Sequence, residues 1–285
     1  VTLVIPTRFG GSGRVAAFLL LFSLVLLSGC APARDDSLAA AARRGWQTEP
    51  IAAGPFTLFS LHPAHWKPGA PLSIYIEGDG FAWVNRYQVS DNPTPRRAVA
   101  LDLALADPAA NVAYLARPCQ YVTGPARHGC DPAYWTFARY APDVVESTLA
   151  AITQIQRESG AAEIRLIGYS GGGTLALLVA ARRPEGIGVV TVAGMVDLRA
   201  WERALDITPL AGSLDPVDFV PTLVNVPQIH IVGADDDVVP RVVTESYLAH
   251  FPPGQRPSLL LVPDQGHHRG WELRWPDLLR RVERE

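Results

Sequence analysis

A serine set among glycines carries the first chemical possibility in this chain. Residues 163–180 read EIRLIGYSGGGTLALLVA. Ile164, Leu166 and Ile167 make a short apolar run suited to a buried strand. From Thr174 to Ala181 the residues are helix formers with no breaker. Between them stands Gly168-Tyr169-Ser170-Gly171-Gly172. A strand that turns sharply into a helix leaves no room for bulk beside the turn, and Gly168 and Gly172 supply that room. Such a turn lifts the Ser170 hydroxyl out of the sheet and into a cleft. The helix that begins beneath it presents unpaired N–H groups that favour negative charge. The N–H of Gly171 is then placed to help hold an oxyanion. The chemistry implied is nucleophilic attack on a carbonyl. The plain alternative is a tight turn between sheet and helix.

The stretch resembles the nucleophile elbow of the α/β-hydrolase family, in which an acid and then a histidine follow the serine. Gln228 to Val232 reads as a strand running into GADDDVVP, residues 233–240. The family pattern Gly-x-x-Asp-x-x-Val-Pro implies Asp236 as the acid, with Asp235 and Asp237 beside it leaving the choice open. Asp197, after the strand-like IGVVTVA of 187–193, is a further rival, because some hydrolases of this fold take the acid from that earlier strand. After a last strand at 258–262 comes PDQGHHR. The family carries its base after a glycine here, which implies His267, with His268 as competitor. His62, His65, His230 and His250 read as structural or exposed. The loop after the strand at 72–76 implies a second oxyanion N–H, from Asp79 or Gly80, with Phe81 open as well. Where family members often have His-Gly, this chain has Glu77-Gly78. Carboxylates at Glu77 and Asp79 would oppose developing negative charge unless they point away or are paired. Arg86, Arg96, Arg97 and Arg117 are the candidate partners. A substrate bearing an amino group is the other expectation, drawn from the carboxylates of Glu77 and Asp79.

The elements that must position these groups follow in order. Strands and helices alternate from about residue 72 to the end, which argues a mainly parallel sheet covered on both faces. The expected architecture is the α/β-hydrolase fold with a small lid or none, the segment 201–226 forming at most a flap. Aromatic residues crowd 134–140, read as packing of a loop against the sheet, with a pocket rim as the alternative. A closing helix at 271–283 is expected to be interrupted or restarted at Pro276. The chain's 285 residues suit one such domain, and its net charge of −3 gives no reason to expect nucleic acid.

The opening residues read differently. Arg8 and Arg14 precede an apolar run, Val15 to Leu27, too short to span a membrane comfortably. It closes in Leu27-Ser28-Gly29-Cys30, which resembles the lipobox of bacterial lipoproteins. That resemblance implies a signal peptide over 1–29 and lipid on Cys30; Ala31 after the cysteine implies the outer membrane, facing the periplasm. An ordinary secretory signal or a short anchor are the alternatives. Residues 30–54 are expected to be a tether, and 55–285 the hydrolase domain, with a first strand in FTLFSLH from Phe56. Of three cysteines, Cys119 and Cys130 then remain, and in an oxidising compartment two spare thiols pair. IEGDGFAW, RPCQY and GADDDVVP together suggest a subgroup of envelope lipoproteins with this fold.

The expected activity is cleavage of a carboxylic ester, or of an amide or peptide, through an acyl-enzyme. Ser170 is nucleophile, His267 base, Asp236 acid, with Gly171 and the 78–81 loop as oxyanion donors. No cofactor and no metal are expected; the membrane is met through the lipid, and protein partners are not specified. The rival readings are a binding or scaffold protein that kept the fold and lost the chemistry, and an acyltransferase.

Overall fold

Short runs of Val, Ile, Leu and Tyr, too brief for helices and apolar on both faces, build the centre of the molecule. The structure is a computed structural model that describes residues 33–285. Its elements, in chain order, are α1 (Ala33–Arg43), β1 (Trp46–Ala53), β2 (Phe56–Pro63), β3 (Leu72–Ile76), β4 (Trp83–Asn85), β5 (Gln88–Val89), α2 (Val99–Ala106), β6 (Asn111–Leu115), α3 (Pro142–Ser159), β7 (Ile164–Tyr169), α4 (Gly171–Arg182), β8 (Ile187–Val192), α5 (Leu198–Leu205), α6 (Val220–Leu223), β9 (Gln228–Gly233), α7 (Arg241–Ala249), β10 (Ser258–Val262) and α8 (Trp271–Val282). The main sheet has eight strands in the order β1-β2-β6-β3-β7-β8-β9-β10. From β6 to β10 all neighbours are parallel; β1 and β2 join antiparallel at one edge.

Alternation along each strand sends side chains to two separate cores. Ile74 and Leu166 face the layer holding α3 and α4, with Val145, Ile152, Leu175 and Leu178. Tyr75 and Ile167 face the opposite layer, where Leu101 of α2 meets Trp271, Trp275 and Leu278 of α8. These side chains are almost wholly buried, each stabilising the fold by about 1.5–3 kcal/mol relative to exposure. In α3, Val144, Thr148, Ala151, Ile152 and Ile155 form the inward stripe, and Gly160 ends the helix with φ 66°.

The region expected to be a tether is largely folded. From Ala33 the chain forms α1, whose Ala41 is fully buried, and then β1, paired with β2 along its whole length. The compact unit therefore takes in the residues from Ala33 onward, where the sequence placed its start at 55. Only Ile51 and Ala53 of β1 are buried, so an edge strand here looks like a polar linker in sequence. The expected signal peptide and Cys30 lie outside the described residues. Helix α8 runs through Pro276 without a break, held by the buried stripe Trp271, Trp275, Leu278, Leu279 and Val282 despite one forgone hydrogen bond. The 201–226 segment is packed down, with Leu210, Val220 and Leu223 buried. The disulfide joins Cys119 to Cys130, with Cα atoms 5.6 Å apart.

Candidate active site

Each parallel strand ends at the same edge of the sheet, and the loops beyond those ends carry the chemistry. Glu77 and Asp79 follow β3, Arg117 follows β6, Ser170 follows β7, Met195 follows β8, Asp236 follows β9 and His267 follows β10. A cleft of about 550 Å³ opens there, lined by Ser170, His267, Asp79, Gly80 and Trp201 among others.

Ser170 stands between β7 and α4 with φ 52° and ψ −121°, a region a serine adopts only under constraint. Its N–H donates to the Val192 carbonyl at 2.9 Å, and its carbonyl accepts from Gly173 at 2.9 Å and Met195 at 3.2 Å. A side chain at Gly168 would collide with the Gly172 backbone, and one at Gly172 with the carbonyl of Ile76. The glycines around the serine are thus required by strand, helix and neighbouring loop together.

The Ser170 hydroxyl lies 3.0 Å from Nε2 of His267, and Nδ1 of His267 lies 2.8 Å from Oδ2 of Asp236. The other carboxylate oxygen of Asp236 accepts the N–H groups of Val238 at 3.0 Å and Val239 at 2.8 Å. The Asp236 side chain is wholly buried and that of His267 nearly so. The His267 carbonyl accepts from the Tyr169 hydroxyl at 3.0 Å and the Trp271 indole at 2.8 Å, which fixes the backbone that carries the imidazole.

The rival residues stand elsewhere. Asp235 and Asp237 are exposed. Asp197 caps α5, accepting from Ala200 at 2.8 Å and from the Ser246 hydroxyl at 2.6 Å. His268 is largely exposed and touches the Tyr169 hydroxyl at 3.3 Å; the partial desolvation of its ring and the neighbouring His267 hold its pKa below the usual value.

The loop after β3 lies against the elbow: a Cβ on Gly78 would sit 3.3 Å from that of Ser170. Its amides divide. The N–H of Gly78 donates to Glu77 at 2.9 Å and that of Phe81 to Pro93 at 2.9 Å, which takes Phe81 out of consideration as a donor to a ligand. The N–H groups of Asp79 and Gly80 have no hydrogen-bond acceptor among the described residues.

The two puzzling carboxylates have different fates. Asp79 is gripped by Arg117 and Arg139 and accepts the Tyr140 hydroxyl at 2.8 Å. Burial would raise its carboxyl, but Arg139, Arg117 and Tyr140 outweigh that and hold it at about 2. Of the partners expected from sequence only Arg117 is used. Arg139, Tyr140 and Gln120, whose amide donates to the Gly78 carbonyl at 3.0 Å, escaped sequence reasoning; the signal was present in RPCQY and in the aromatic cluster before Asp143. The disulfide ties together the segment between the two arginines. Trp135 is buried and donates to the Ser90 carbonyl at 3.0 Å, so packing is the main role of that cluster.

Glu77 has no arginine. It is 1% exposed and accepts from Gly78 and, at 3.2 Å, from the Tyr114 hydroxyl. Burial pushes its carboxyl up from 4.5 to about 7. The folded chain therefore holds this proton more tightly than the unfolded one. The resulting stabilisation, ~3 kcal/mol, is fully present below pH 4.5 and is lost as pH rises through about 7. Glu77→Gln keeps the shape without the charge. It is expected to flatten this slope and to unfold at higher denaturant than the parent at pH 8. Urea unfolding of both proteins at pH 5 and pH 8 tests this; an equal difference at the two pH values would refute it. Neither carboxylate offers an open negative charge to the cleft, so the expectation of an amine-bearing substrate loses its basis.

Parallel sheet, helices on both faces, and an elbow between the fifth sheet strand and its helix define the α/β-hydrolase fold, and this chain has that fold. No family model and no curated protein sequence matches it. Solved structures do. TT1662 from Thermus thermophilus is similar at 19% identity with a TM-score of 0.54, covering 84% of this chain and 97% of that one. Est1E from Butyrivibrio proteoclasticus is similar at 15% identity with a TM-score of 0.56, over 83% and 97%. XC6422 from Xanthomonas campestris, described as an α/β serine hydrolase without lid, is similar at 14% identity with a TM-score of 0.51, over 83% and 94%.

Proposed function

We propose that this protein is a serine hydrolase that cleaves a carboxylic ester through an acyl-enzyme. The observation that carries the reading is the continuous relay from Ser170 through His267 to Asp236, at 3.0 and 2.8 Å. His267 takes the Ser170 proton as the hydroxyl attacks the carbonyl carbon. Asp236 holds the tautomer with hydrogen on Nδ1 and stabilises the imidazolium. The unengaged N–H of Asp79 or Gly80, with that of Gly171, receives the oxyanion, each such donor contributing about 3 kcal/mol to the transition state. His267 then protonates the leaving alcohol, and water, deprotonated by the same imidazole, releases the acid. The description of XC6422 as an α/β serine hydrolase supports the class. The alcohol leaving group of an ester makes it the favoured substrate over an amide. The lipobox-like Leu27-Ser28-Gly29-Cys30 supports a lipid-anchored enzyme of the cell envelope, on the periplasmic side of the outer membrane.

A fluorophosphonate probe tests the chemistry. Labelling of the parent protein and none of Ser170→Ala, with both equally folded, is the expected result. No labelling of the parent would leave the fold without the proposed reaction. Turnover of p-nitrophenyl esters then reports hydrolysis directly, and added alcohols reveal transfer in place of hydrolysis.

A further inference from the structure

The cleft beside Ser170 is unevenly charged. Its walls include Arg96, Arg97 and Arg139, and two acids, Glu77 and Asp79. Both acids are already committed. Glu77 is sealed among Gly78, Ala100 and Tyr114. Asp79 is shared between two guanidinium groups, so that trio carries one surplus positive charge. It sits beside the nucleophile, since a Cβ on Gly171 would collide with the Asp79 carboxylate. Arg97 is balanced by Glu272 at 3.1 Å and Asp102 at 4.0 Å.

Arg96 is different. It is exposed, its guanidinium carbon lies 3.8 Å over the Phe81 ring, and no carboxylate among the described residues pairs with it. Stacking on an aromatic face leaves the edge of the guanidinium, with its fork of N–H donors, directed outward. That edge matches the two oxygens of a carboxylate or phosphate. Val99, Met195 and Trp201 give the remaining wall an apolar surface for hydrocarbon.

We propose that the substrate is an ester carrying an anionic group, a carboxylate or a phosphate, which Arg96 binds while Ser170 attacks the ester carbonyl. This rests on the hydrolase reading and names a class of substrate for it. The test compares p-nitrophenyl esters of matched length: hydrogen adipate, its neutral methyl ester, the cationic 6-aminohexanoate, and an acyl chain ending in phosphate. The parent protein is expected to show kcat/KM at least about tenfold higher for one or both anionic esters than for the neutral one, with the cationic ester lowest. Which anion is preferred separates carboxylate from phosphate. Arg96→Gln should bring the anionic-to-neutral ratio close to one, and added salt should narrow the ratio in the parent. A ratio at or below one in the parent, or a ratio untouched by Arg96→Gln, overturns the proposal while leaving hydrolysis standing. No turnover of any ester, together with no probe on Ser170, removes the hydrolase reading and this inference with it.

Discussion

Asp236→Asn is expected to lower kcat on p-nitrophenyl esters by about 10⁴-fold with little change in melting temperature. The reason lies in the other oxygen of that carboxylate. Oδ1 accepts the N–H groups of Val238 and Val239, and an asparagine must keep its carbonyl there to satisfy two buried donors. Its NH₂ then faces Nδ1 of His267. The imidazole is forced to accept at Nδ1 and to carry its hydrogen on Nε2, pointing at the Ser170 hydroxyl it should deprotonate. The shape of the site survives and the proton has nowhere to go. Asp235→Asn and Asp237→Asn, both on exposed side chains, are expected to stay within about twofold of the parent. A loss under tenfold at 236, or an equal loss at 237, would place the acid elsewhere.

The second large effect concerns stability. Asp79→Ala leaves Arg117 and Arg139, whose side chains are only 4% and 9% exposed, without their shared counter-charge. Removing one member of a buried ionic cluster costs about 3–5 kcal/mol, because the remaining charges stay desolvated. For a folded unit of this size that corresponds to a fall in melting temperature of roughly 10 °C. The contrasting variant is Asp277→Ala, which breaks an ion pair whose side chains are 63% and 76% exposed. It is expected to melt with the parent, since water and salt already screen that pair. Differential scanning calorimetry of the three proteins decides the matter. Equal melting of Asp79→Ala and the parent would show that the arginines find other partners.

The parts of this site that can be read from sequence are those whose geometry is local. Ser170 follows β7 directly and stands one residue before α4, and Gly168 is demanded by a contact within the same turn, with the Gly172 backbone. Asp236 and His267 each follow a strand end by a short loop, so a pattern a few residues long places them. The Asp79–Arg139 pair spans 60 positions, with no periodicity linking its ends, and only folding brings them together. The edge strand β1 was hidden for another reason. Half of its residues face water, so its composition is that of a linker. The proline of α8 misled in the opposite direction, because a stripe of buried tryptophans outweighs one missing hydrogen bond.

The order of the strands has a consequence for synthesis. The imidazole of His267 hangs from the loop after β10, which comes last in the chain among the described strands and forms an edge of the described sheet, paired there with β9. During synthesis Ser170 and Asp236 emerge before His267. The hydrogen-bonded trio Ser170, His267 and Asp236 therefore assembles only once the segment carrying β10 and its loop has joined the sheet beside β9.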